Sequence, residues 1–135
     1  SRFRITNLCS LFANAFENAI HACVQLPQPE DRYINIKLYE KNCQLCINMS
    51  NSYHTAPVFK NDIPTTSANG HGIGIQSMIS VIEKYHGIYG FFAENGEFRF
   101  QASIENKECA GRLLYLYWMP QCASPQSVYN KENAA

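Results

Sequence analysis

Leu11-Phe12-Ala13-Asn14-Ala15-Phe16-Glu17-Asn18-Ala19-Ile20-His21-Ala22-Cys23 carries two periodic patterns at once. Leu8, Leu11, Phe12, Ala15, Phe16, Ala19 and Cys23 recur at steps of three and four, so the spacing predicts an amphipathic helix over 8–24. Thr6 or Asn7 can cap its start, and Pro27 stops the run. Asn14, Glu17, Asn18 and His21 share the opposite side by the same steps and form one polar ridge. Taken alone, two amides on such a ridge read best as a solvated face.

Outward from this helix, the pattern changes period. Residues 33–39 place Ile34, Ile36 and Leu38 on one side, Lys41-Asn42 turns the chain, and 43–49 places Leu45, Ile47 and Met49 likewise, which reads as a β-hairpin. Residues 52–69 hold Pro57, Pro64, Thr65, Thr66 and Ser67 without periodicity and are longer than most connections, as lids are. Gly70-His71-Gly72-Ile73-Gly74 then opens a second helix with Ile75, Met78, Ile79, Ile82 and Tyr85 as its buried stripe and Gly87 as its stop. A second hairpin runs over 88–104 around Asn95-Gly96, with Phe98, Phe100, Ala102 and Ile104 alternating. Residues 112–119 are apolar on both sides and read as an extra strand, and 120–135 as a flexible tail. The order implies an α+β domain, with helices packed on one face of a mixed sheet.

Composition narrows the function. Eleven basic residues balance eleven acidic ones, which excludes an electrostatic nucleic-acid binder and leaves any anion to be held by local geometry. No apolar run reaches the roughly 20 residues of a membrane-spanning helix, so the piece reads as soluble. Cys9, Cys23, Cys43, Cys46, Cys109 and Cys122 are irregularly spaced, as free thiols in a reducing, cytoplasmic setting are. Cys43 and Cys46 form a CxxC, yet residues three apart on a strand face opposite sides, which argues against metal or redox chemistry there.

A glycine-rich loop entering a helix presents unpaired N–H groups and the positive end of the helix dipole, and glycine lets phosphate oxygens approach closely. Gly70, Gly72 and Gly74 can equally shape a tight turn, because so short a pattern is weak alone.

Together the two segments resemble a known family. The stretch 11–23 resembles the N box of the GHKL ATPase/kinase superfamily, in the form found in quorum-type, peptide-sensing sensor histidine kinases. About 50 residues later, Gly70-His71-Gly72-Ile73-Gly74-Ile75 followed by Val81-Ile82-Glu83-Lys84-Tyr85-His86-Gly87 resembles the G2 box and its helix. Ile47-Asn48-Met49-Ser50-Asn51-Ser52 stands where the G1 box falls, with Asn51 in place of the usual Asp and without the glycines. The resemblance spans about 5–104 and implies a Bergerat fold: a two-layer α/β sandwich of a mixed, mostly antiparallel sheet with helices on one face. ATP would lie between the helices under the lid, in a catalytic domain covering 1–119.

Carried onto this sequence, the resemblance implies that Asn18 coordinates Mg²⁺ through its amide oxygen. Asn14 would assist the phosphates, with His21 a possible cationic contact and Asn51 accepting from the adenine amino group. The backbone of Gly70, His71, Gly72, Ile73 and Gly74 would cradle the triphosphate, and Thr66 or Ser67 would approach the γ-phosphate. Phe59 would latch the lid. Water-splitting relatives carry a Glu four residues before the metal-binding Asn; here that residue is Asn14, which favours a kinase.

None of His21, His54, His71 or His86 lies in an upstream dimerising helix, where the kinases this chain resembles carry their acceptor. The resemblance thus implies an acceptor histidine on a separate dimerisation domain of the same kinase, and the isolated domain is expected to be inactive. A response regulator would follow as partner, and a membrane would be reached only through upstream segments. Two alternatives stay open: an anti-sigma-type serine kinase of the same superfamily, and a degenerate module that dimerises or docks without nucleotide.

Overall fold

The computed structural model describes residues 4–65, 72–107, 114–118 and 129–132, with side chains from 4–65 and 74–107. Expectations at Thr66, Ser67, Gly70 and His71 lie outside the described residues, and the side chain of Ile73 does too.

Helix α1 (Ile5–Cys23) buries Leu11, Ala15, Ala19 and Cys23. It starts earlier than its apolar spacing suggests, because its cap is not local. Arg4 is the N-cap residue and supplies no side-chain hydrogen bond. Instead the Tyr85 phenol oxygen accepts from the Arg4 backbone N–H at 2.9 Å and from Asn7 Nδ2 at 2.8 Å. Asn7 therefore sits inside the helix and not at its cap. A phenol 81 residues away in sequence satisfies a backbone donor at the helix start.

Strands β1 (Ile34–Lys41) and β2 (Gln44–Ser52) form the first hairpin, with Ile34 opposite Asn51 and Ile36 opposite Met49. Its turn is Asn42-Cys43, one residue beyond the expected Lys41-Asn42, and both residues adopt positive φ (51° and 61°). Two-residue turns of this hand match the twist of the flanking strands. Cys43 thus leaves the strand for the turn. It is also disulfide-bonded, which corrects the all-thiol reading; among the described residues Cys9, Cys23 and Cys46 are free.

The stretch read as a structureless lid contains a small hairpin, β3 (Val58–Lys60) and β4 (Ile63–Thr65). Asn61 and Asp62 make its turn at φ 53° and 62°. Phe59 and Ile63 pack against the core, so the hairpin is pinned to the domain.

Helix α2 (Gly72–Lys84) places Ile75, Met78, Ile79 and Ile82 in the core. Its stop is not Gly87 but His86, which takes the left-handed conformation at φ 55°, with the Gly87 N–H reaching back to the Ile82 carbonyl at 2.9 Å. Gly87 is needed for a different reason: a Cβ there would stand 2.7 Å from the Ser103 carbonyl oxygen and 2.8 Å from Ile82 Cγ2.

Strands β5 (Ile88–Glu94) and β6 (Glu97–Glu105) form the expected hairpin over Asn95-Gly96, both at positive φ. β7 (Leu114–Trp118) and β8 (Tyr129–Glu132) complete a six-stranded sheet of order β5-β6-β2-β1-β7-β8, with β8 inside the stretch read as a tail. Every described pairing is antiparallel. Inward residues of four strands, among them Ile36, Ile47, Phe91 and Ile104, meet α1 and α2 in one core. The result is the α+β architecture expected of a Bergerat-type fold: two helices on one face of an antiparallel sheet. No helix among the described residues is long and apolar enough to cross a membrane.

Candidate functional site

Asn14 and Asn18 lie one turn apart on α1 and face the start of α2. A Cβ built on Gly74 would stand 3.4 Å from Asn14 Oδ1 and 3.8 Å from Asn18 Oδ1, so two amide oxygens converge where α2 begins. The first turn of any helix leaves N–H groups without intrahelical acceptors, at the positive end of the dipole. Two features that the sequence separates by some 55 residues therefore meet at one place: a pair of amide oxygens, and a residue without a side chain in the first turn of a helix.

Asn18 Nδ2 lies 3.8 Å from the Met78 sulfur, a weak contact that turns the amide oxygen away from Met78. Both side chains line a cavity of about 10 Å³ between the helices and the sheet, with Asn51, Met49, Ile75 and Phe98. That volume is room for about one water.

Asn51 is buried at 3% exposure and donates its Nδ2 to the Ser52 carbonyl at 2.9 Å. One of the two amide N–H donors is thus used, and among the described residues the amide oxygen makes no hydrogen bond. Ser52 is itself held, since its Oγ accepts the Tyr33 N–H at 2.9 Å. The Tyr33 hydroxyl donates to Glu97 Oε1 at 2.8 Å, tying the end of β2 to β6. Burial and then the Glu97 hydrogen bond push the Tyr33 phenol up to about 12, while the same bond, followed by Arg99, holds Glu97 below its usual range.

His21 stands apart. Its side chain is 52% exposed with Nε2 3.7 Å from Glu17 Oε1, and it does not line the cavity. Asn14 and Asn18 meet at Gly74, and Asn18 and Asn51 line one cavity, whereas His21 faces solvent. The sequence reading missed Phe98 and Met78. Phe98 pairs directly opposite Asn51, a relation that appears once β2 is aligned with β6; Met78 follows Gly74 by one helical turn.

Donor chemistry decides what the cluster can hold. It offers neutral amide oxygens, and among the described residues no three His, Cys, Asp or Glu side chains gather as a metal site. Such oxygens fit a hard cation that keeps most of its waters and takes its other ligands from phosphate. The residues present therefore fit Mg²⁺ accompanied by a polyphosphate, and do not fit a structural metal held by the protein alone.

A family model described as the GHKL domain matches residues 3–105. The chain belongs to the GHKL domain family. Among curated proteins no sequence matches it.

Proposed function

We propose that this chain is the ATP-binding catalytic domain of a sensor histidine kinase, taking Mg²⁺ with its nucleotide and passing the γ-phosphoryl to a histidine on a separate helical dimerisation domain, which then supplies a response regulator. The observation that carries the reading is the convergence of Asn14 Oδ1 and Asn18 Oδ1 on Gly74 at the start of α2, beside the buried Asn51.

Each residue has a physical task. Asn51 presents a fixed acceptor to an exocyclic amine, because its donor is held by Ser52. The N–H groups of the first turn of α2 would receive phosphate oxygens, and Gly74 leaves them space. Asn18 would hold Mg²⁺ by its amide oxygen with Asn14 beside it, and the ion supplies neutralisation of phosphate charge. Phosphoryl transfer asks for positioning and charge stabilisation more than covalent chemistry from the protein, which suits a site whose described residues include no carboxylate base. Asn14 in particular cannot take a proton from water as a glutamate would, which favours transfer to a protein acceptor over hydrolysis. Since the cavity holds about one water, base binding requires Met78 or Phe98 to shift.

The test incubates the chain with Mg²⁺-ATP and a helical, histidine-bearing dimerisation segment supplied in trans. Acid-labile, base-stable phosphoryl on that segment is the expected product. Acid-stable phosphoryl on a serine of another protein would instead identify the serine-kinase alternative.

A further inference from the structure

We propose that Phe98 is the base-stacking wall of the cleft and sets its preference for purine nucleotides, an inference that rests on the nucleotide reading above. Phe98 on β6 stands directly opposite Asn51 on β2. Directly paired residues on neighbouring antiparallel strands point to the same side with their Cβ atoms about 5 Å apart. A flat group whose edge meets the Asn51 amide is thereby presented to the Phe98 ring.

Phe98 also differs from its aromatic neighbours in burial. All three rings line the cavity, but Phe91 and Phe100 are 5% and 3% exposed and belong to the core, whereas Phe98 is half-buried. Its ring is backed by Phe91, with centroids 6.2 Å apart and planes 26° apart, and Phe91 is backed in turn by Phe100 at 5.3 Å and 22°. This three-ring ladder is supported from the core side and ends at Phe98, its half-buried member. A phenylalanine that served packing alone would gain more by full burial, as the other two do. Left half-open beside a buried amide acceptor, it offers the sandwich surface that a heteroaromatic base uses, since aromatic rings stack on bases without regard to their hydrogen-bonding edge. The division of labour follows: Asn51 distinguishes an amine from a carbonyl, and Phe98 distinguishes a bicyclic base from a monocyclic one, because the larger ring system covers more of the wall.

The test compares ATP, CTP and inorganic tripolyphosphate, each with Mg²⁺, on the 135-residue chain and on Phe98→Leu and Phe98→Tyr, with folding checked by circular dichroism. We expect the wild type to bind ATP more tightly than CTP. Phe98→Leu should lose roughly five- to a hundredfold in ATP affinity and most of the ATP-over-CTP ratio while keeping its affinity for tripolyphosphate. Phe98→Tyr should restore both losses. A folded Phe98→Leu chain with an unchanged ATP-over-CTP ratio overturns the assignment, and so does parallel loss of tripolyphosphate, which would mark a purely structural role. A wild type that binds tripolyphosphate and ATP equally removes the base site alone. A wild type that binds none of the three removes the nucleotide reading together with this one.

Discussion

Replacing Gly74 separates the stability of the fold from the use of the cleft. Gly74 is in the first turn of α2, where glycine is less favourable than alanine by up to about 1 kcal/mol. Its φ is not in the left-handed region, so alanine fits the backbone, and the new Cβ would make ordinary contacts at 3.4 and 3.8 Å with the Asn14 and Asn18 oxygens. Gly74→Ala should therefore leave the melting temperature unchanged or raise it by up to about 4 °C. The same methyl occupies the space through which phosphate approaches the helix start, and nucleotide affinity should fall at least about tenfold, or roughly 1.4 kcal/mol. Gly74→Val adds methyls about 1.5 Å farther out. These reach within clashing distance of Asn14 Oδ1, and binding should be abolished while the fold survives. Thermal melts by circular dichroism and calorimetric titration with a non-hydrolysable ATP analogue read the two effects independently. An alanine variant that binds nucleotide as the wild type does would refute phosphate approach at Gly74, and one that fails to fold would refute the contact geometry.

Three further outcomes follow from particular contacts. Gly87→Ala should lower stability by about 1–3 kcal/mol in denaturant titration, because its Cβ would meet a backbone oxygen at 2.7 Å that cannot step aside. Asn51→Asp should not improve the site despite the stronger acceptor. It places a carboxylate oxygen against the Ser52 carbonyl that now accepts from Nδ2, costing about 1–3 kcal/mol at neutral pH, with stability recovered in acid where the new carboxyl is protonated. The Tyr33–Glu97 pair predicts a pH profile with two arms. Tyr33 has a raised folded-state value, so its contribution is complete below pH 10 and is lost as pH rises toward about 12. Glu97 has a lowered one, so its contribution is present above pH 4.5 and is lost as pH falls further. Tyr33→Phe should flatten both arms in urea midpoints measured across pH, and identical slopes in the two chains would contradict the pairing.

Where local pattern and tertiary structure agree, the fold was legible in advance. The three-four spacing of Leu11, Ala15 and Ala19 and the alternation of Phe100, Ala102 and Ile104 both mark surfaces that are in fact buried. Legibility failed where a partner is distant or a signal is short. The start of α1 depends on Tyr85, which no local cap residue announces. The β3–β4 hairpin has three-residue strands, too few to show alternation, and its Asn61-Asp62 turn lacks the glycine that usually betrays one. Cys43 occupies a turn position that cysteine seldom signals, so the first hairpin was read one residue short.

The site divides in the same way. Asn14 and Asn18 were visible as a ridge because helix geometry alone aligns them, and Gly74 because glycine before an apolar stripe marks a helix entry. His21 shares the ridge but sits at its outer edge beside Glu17, a distinction that spacing alone does not make. Phe98 escaped notice because its relation to Asn51 exists only in the register between β2 and β6.

Calorimetric titration of the chain and of Asn18→Ala with a non-hydrolysable ATP analogue, with and without Mg²⁺, tests the central claim most directly. Asn18 makes one weak described contact, to the Met78 sulfur, so its removal should leave the fold intact. The account predicts saturable binding that needs Mg²⁺ and disappears in the variant. A folded wild type that binds no nucleotide, or a variant that binds it as tightly as the wild type, would contradict it.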